Sequence, residues 1–155
     1  MVTELANPAV AGPEPTVSIL VTDDDRGSRD TLAQMLRDRG FSTITATSGE
    51  EAIEIIQVET IHLVFFDMHM PRMTGLEALQ QVRVFNELLP AILVTADATR
   101  EVIRQALLAH VYSVLPKPVN KSLLLHTLAR ALKTVSGSKS RVSNKKPDAD
   151  GTPET

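Results

Sequence analysis

Short unbroken apolar runs alternate along the chain with longer stretches in which apolar residues recur every three or four positions. Val17-Ser18-Ile19-Leu20-Val21, His62-Leu63-Val64-Phe65-Phe66, Ala91-Ile92-Leu93-Val94 and Tyr112-Ser113-Val114-Leu115 are runs of the first kind, each closed by a turn signal. Such segments read as strands buried on both faces, as in parallel sheets covered by helices. The intervening stretches carry helical stripes: Leu32, Met35 and Leu36; Ala52, Ile53 and Ile56; Leu76, Leu79 and Val82; Val102, Ile103, Ala106 and Leu107; Leu124, Leu125, Leu128 and Leu132. Ser28 and Ser48 are placed to cap the first two helices, and each stripe is read as core. Five strands and five helices in strict alternation imply right-handed crossovers and an α/β doubly wound parallel sheet.

Polar residues collect where the runs end. The first strand runs into Thr22-Asp23-Asp24-Asp25 and the one from His62 ends at Asp67, so two strands deliver carboxylates to one sheet edge, where open α/β sheets bind ligands. Capping the following helix accounts for Asp25. It does not account for Asp23 and Asp24 together, because crowded carboxylates repel unless a cation offsets them. With oxygen donors and no cysteine in the chain, Mg2+ or Mn2+ is favoured over zinc. The four histidines, His62, His69, His110 and His126, share no ligand spacing, and His126 is read as an exposed helix residue. Two further strand ends add a hydroxyl, in Thr95-Ala96-Asp97, and an ammonium, in Lys117-Pro118. Nucleophile, metal, hydrogen-bond donor and cation are the parts that phosphoryl transfer needs.

With these residues in view, the chain resembles the receiver domain of two-component response regulators, of the stand-alone chemotaxis-receiver-like type, from Val17 to Val135. The resemblance rests on the acidic pair Asp23-Asp24, the stretch Asp67-Met68-His69-Met70-Pro71-Arg72-Met73-Thr74-Gly75, the pair Thr95-Ala96 and Lys117-Pro118, in family order. Intervals of 43, 28 and 22 residues separate Asp24, Asp67, Thr95 and Lys117, each long enough for a helix and the next parallel strand. The resemblance implies a flavodoxin-like (βα)5 fold with strand order 2-1-3-4-5. It makes Asp67 the phosphoacceptor for a phosphohistidine of a sensor histidine kinase or phosphotransfer protein. Mg2+ would be ligated by Asp24, Asp67 and the main-chain carbonyl of His69, with Asp23 acting through metal-bound water. Lys117 and Thr95 would bind phosphoryl oxygens, Ala96 would keep the approach open, and the Lys117-Pro118 bond would be cis.

Two departures from the family pattern bear on the mechanism. The switch position three residues before Lys117, where an aromatic is usual, holds Val114. Tyr112 shares its face by strand alternation but lies about 7 Å further away by strand rise, so coupling from Thr95 is expected to be weak. His110-Val111 replaces the usual small pair before the last strand. His69 and Asp97, two residues beyond Asp67 and Thr95, are expected to flank the route of attacking water and to tune the lifetime of the phosphoryl group.

Composition fits one ordinary domain: 155 residues, 43% apolar, formal net charge −3. Residues 1–16, with Pro8, Pro13 and Pro15, read as a flexible lead-in without signal-peptide character, and 136–155 as a disordered polar tail. No run approaches the roughly 20 apolar residues that span a bilayer, and the absence of cysteine fits a reducing compartment, so a cytoplasmic protein without membrane attachment is expected. The basic residues Lys139, Arg141, Lys145 and Lys146 are followed by acids, which argues against direct DNA binding. With no output domain in view, the signal would be a change in binding to an unknown downstream protein. Two other readings are a phosphorylation-independent adaptor and an aspartyl-phosphate hydrolase of the haloacid dehalogenase type. Retention of all five site residues counts against the adaptor, and His69 stands where the hydrolase needs an acid.

Overall fold

The computed structural model describes residues 16–134; apart from residue 16, the flanking segments 1–16 and 136–155 lie outside them. The described elements are β1 (Ser18–Thr22), α1 (Arg26–Arg37), β2 (Ser42–Ala46), α2 (Gly49–Val58), β3 (Leu63–Asp67), α3 (Gly75–Phe85), β4 (Ala91–Thr95), α4 (Arg100–Leu108) and β5 (Ser113–Pro116). Residues 121–134 form a fifth helix, α5. The sheet is parallel throughout with order β2-β1-β3-β4-β5, the 2-1-3-4-5 topology.

Alternation along each strand builds two apolar layers. Leu20, Val64, Phe66 and Leu93 pack with Leu79 and Val82 of α3, Ala52 and Ile56 of α2, and Val102 and Ala106 of α4. Ile19, Val21, Phe65, Ile92, Val94 and Leu115 face Leu32 and Leu36 of α1 and Leu124, Leu128 and Ala131 of α5. Every residue of β3 and β4 is buried, as the unbroken runs require. Strand bounds fall within one residue of the expected runs. Registry places Asp67 opposite Val94 and Thr95 opposite Pro116, so these strands terminate level and their last side chains share one edge.

Caps decide where the helices begin. Asp25 is the N-cap of α1, accepting the Ser28 N–H at 2.8 Å. Ser28 therefore lies inside the helix: the carboxylate three residues upstream takes the orphan amide first. Ser48 caps α2 as expected, and Thr74 and Glu77 form a reciprocal capping box on α3. In α4 the expected stripe is too wide. Val102 and Ala106 are buried, whereas Ile103 and Leu107 are 41% and 67% exposed, because the helix sits on its small Ala106 and turns both flanking residues outward. His110 closes α4 in a left-handed conformation, φ 60°, while its N–H reaches the Leu107 carbonyl and that of Val111 reaches Ala106, the double bond of a Schellman cap. Gly40, φ 90°, does the same after α1.

Candidate functional site

Three loops at the carboxyl edge of the sheet bring the site together. The β1–α1 loop supplies Asp23 and Asp24, and the end of β3 supplies Asp67. One carboxylate oxygen from each of these three lies within 4.8 Å of the other two. Asp23 and Asp67 are buried and Asp24 is exposed. Lys117, just beyond β5, reaches in to both buried acids, its Nζ 2.9 Å from Asp23 Oδ2 and 3.2 Å from Asp67 Oδ1. The Lys117–Pro118 peptide is cis.

Asp23 is held on every side. Its N–H donates to the Ala46 carbonyl at 3.1 Å, its Oδ1 accepts from the Asp25 N–H at 2.9 Å, its Oδ2 takes the lysine, and its carbonyl accepts from Arg29 Nη1 at 3.0 Å. Asp24, by contrast, makes no side-chain hydrogen bond among the described residues, and the His69 carbonyl is likewise free of protein donors there.

Burial, followed by repulsion from Asp23, raises the Asp67 carboxyl from 3.8 to about 6 against the opposing pull of Lys117. Burial alone would lower the Lys117 ammonium. The hydrogen bond to Asp23 and the attraction of both carboxylates outweigh it, so the net shift is upward. One ammonium thus leaves three carboxylates under-compensated, and all the donors are oxygen: a hard divalent cation fits, and Mg2+ is the natural occupant.

The chain after Asp67 is braced from two directions. Gly75 N–H donates to the Met68 carbonyl at 3.0 Å, and a side chain at Gly75 would collide with the Asp67 carbonyl. Arg72 adopts φ 69° and pairs with Glu50 of α2 at 3.3 Å. Across the site, Thr95 is fully buried, and its Oγ1 accepts the Asp97 N–H at 3.0 Å. Lys117 N–H binds the Thr95 carbonyl at 2.9 Å, tying the ends of β4 and β5 together. Ala96, Asp97 and His69 are exposed around the mouth.

A family model described as "Response regulator receiver domain" matches residues 19–129. The chain belongs to the response regulator receiver family. Receiver domains take phosphoryl groups from histidine kinases or phosphotransfer proteins, and they bind Mg2+ at an aspartate cluster of the kind formed here by Asp23, Asp24 and Asp67. The receiver is similar to the transcriptional regulatory protein ZraR of Klebsiella oxytoca, 33% identical over 116 residues, 75% of this chain and 26% of that protein. It is also similar to the sensor histidine kinase RcsC of Salmonella typhimurium, 36% identical over 72% of this chain and 12% of that protein. The chain therefore spans about a quarter or less of these relatives. A solved CheY-like receiver domain protein from Methanospirillum hungatei superposes with TM-score 0.77 at 28% identity, covering 80% of this chain and 99% of that one.

The geometry also corrects the sequence reading at the far end of β5. That strand begins at Ser113, and although the Tyr112 N–H still bonds the Ala91 carbonyl at 2.7 Å, alternation does not carry back to the Tyr112 side chain. Val114 packs against the layer beneath α4, whereas Tyr112 lines a cavity with Ser113, His126, Thr127 and Arg130 beside α5. His126 is exposed, as expected. Arg29, the close approach at Gly75 and the Arg72–Glu50 pair emerge only in the folded chain. Only Arg29 left a trace, four residues after the capping Asp25 and so one turn along α1. No helix among the described residues is long and apolar enough to cross a membrane.

Proposed function

We propose that Asp67 is the phosphoacceptor of a two-component phosphorelay. An Asp67 carboxylate oxygen attacks phosphorus in line as the N–P bond of a donor phosphohistidine breaks, and the freed imidazole takes up a proton. The observation that carries this reading is the Lys117 ammonium bridging Asp23 and Asp67. It is a fixed cation beside a nucleophile whose neighbours are otherwise negative. That one relative is named a sensor histidine kinase fits such a donor, and we place the exchange in the cytoplasm.

Asp24, Asp67 and the His69 carbonyl would hold Mg2+, with Asp23 in its water shell because both Asp23 oxygens already have protein partners. Bound there, the ion offsets charge on the acids and on the transferring group. Lys117 and Thr95 bind phosphoryl oxygens, and Ala96 leaves the approach to Asp67 open. His69 and Asp97 set how readily water reaches the acyl phosphate, whose hydrolysis the site promotes itself, so no separate substrate is turned over. Output is a change in binding to a downstream protein. Thr95 Oγ1 now accepts the Asp97 N–H and has its own hydrogen free to donate to the phosphoryl group; rotation of the side chain toward that group would break the bond to Asp97. With Val114 at the aromatic position the rearrangement reaches the α4, β5 and α5 face only weakly, and Tyr112, turned toward α5, does not restore it.

Intact mass after incubation with Mg2+ and acetyl phosphate tests the proposal. One phosphoryl group, absent from Asp67→Ala and from a chelated control, is expected. No addition, together with failure to bind beryllofluoride, would favour the adaptor instead.

A further inference from the structure

We propose that Arg29 is the positioning residue of the metal site, acting through the Asp23 carbonyl to set the Asp24 carboxylate; this rests on the receiver reading of the acidic cluster. Among the three acids, Asp24 alone is exposed and has neither a side-chain hydrogen bond nor an ion pair among the described residues, yet it must meet the ion at a defined place. Its position is fixed through the backbone. The peptide joining Asp23 to Asp24 is planar, so anchoring its carbonyl oxygen also fixes the Asp24 N–H and the start of that residue. Arg29 Nη1 provides the anchor at 3.0 Å. The arginine is itself fixed, since its N–H donates to the Asp25 carbonyl at 2.9 Å in the first helical turn, and Asp25 caps that turn through Ser28. The rigid start of α1 is thereby locked to the end of β1.

Lys117 cannot supply this lock, because it grips the Asp23 carboxylate, which can swivel about the side-chain torsions while the peptide turns. Without Arg29 the 23–24 peptide loses the hydrogen bond on its own carbonyl; the Asp25 N–H to Asp23 Oδ1 bond still restrains the loop, but the peptide plane is looser and Asp24 samples orientations that miss the ion.

Two physical effects of Arg29 have opposite signs. As a cation close to the β1–α1 loop it repels Mg2+, so by charge alone its removal tightens binding. As a positioning group it organises a ligand, and loss of such outer supports typically weakens metal binding by about 10–100-fold. The structure assigns the second effect to Arg29, because its guanidinium is spent on a carbonyl oxygen and not on the carboxylates.

The test is Mg2+ affinity by calorimetry on the metal-free full chain, for wild type, Arg29→Ala, Arg29→Lys and Asp67→Ala. Melting in chelator shows that each variant is folded. We expect Arg29→Ala to bind Mg2+ about tenfold more weakly despite losing a positive charge, and Arg29→Lys, which retains a donor, to fall between. Equal or tighter binding by folded Arg29→Ala overturns the proposal. Wild type that binds no Mg2+, or binds it as well without Asp67, overturns the receiver reading and this inference with it.

Discussion

Replacing Asp67 with Asn should stabilise the metal-free protein, and by an amount that depends on pH in a defined direction. Asn keeps the shape and can still accept from Lys117, but removes the charge that burial and Asp23 oppose. The carboxyl titrates at about 6 in the fold against 3.8 in a model peptide, and each unit corresponds to about 1.4 kcal/mol. A carboxyl whose pKa is raised by folding binds its proton more tightly in the native state, so its ionisation costs stability as pH rises. The penalty is absent well below 3.8, grows between 3.8 and 6, and reaches about 3 kcal/mol above that range. Urea unfolding in chelator should therefore show Asp67→Asn more stable than wild type by about 3 kcal/mol at pH 7.5 and by about 1 kcal/mol at pH 4.5. Saturating Mg2+ should close much of the gap at pH 7.5, because it binds the folded wild type and offsets the same charges. A gap that does not change with pH, or an Asn variant less stable than wild type at pH 7.5, would show that the site is not a reservoir of carboxylate repulsion.

Gly75→Ala should lose about 2–3 kcal/mol of stability and weaken Mg2+ binding, since the new methyl group displaces the Asp67 carbonyl; thermal melts and calorimetry read both. His110→Gly should gain about 0.5–1 kcal/mol in urea, the left-handed cap being easier for glycine, with the phosphorylation yield unchanged. Lys117→Met should retain Mg2+ binding, since a competing cation leaves the acids, yet take up no phosphoryl group by intact mass. Substituting His69 or Asp97 with Ala should alter the decay rate of the phosphorylated protein, and identical decay in both would remove their tuning role.

The elements that were legible are those whose signal is unambiguous in one dimension. Buried parallel strands such as Leu63–Asp67 are continuous apolar runs, and a carboxylate at the end of one has to emerge at the sheet edge. Position around a helix is harder to read. The stripe of α4 includes Ile103 and Leu107, but a period of 3.6 does not reveal which residue is central, and small Ala106 took that place. At α1 both Asp25 and Ser28 are residue types that cap, and the structure keeps Asp25, which accepts the N–H of Ser28 itself and so places Ser28 in the first turn. Arg29 was hidden for a different reason. An arginine on a polar helix face looks the same in sequence whether it faces water or a carbonyl oxygen of the preceding strand. Tyr112 failed because its backbone still bonds Ala91 of β4 while its side chain lies with that of Ser113 beside α5, so alternation breaks at the first residue of the strand.

The placement of Tyr112 has an optical consequence. The chain contains one tyrosine and no tryptophan, so its near-ultraviolet emission arises from a single ring, seated beside His126 and Arg130 of α5 at the end of β5 away from Lys117. Filling the acidic cluster should leave that emission nearly unchanged. Any response to acyl-phosphate formation would have to be relayed through the sheet, and the unmodified protein carries its own probe for whether such a relay exists.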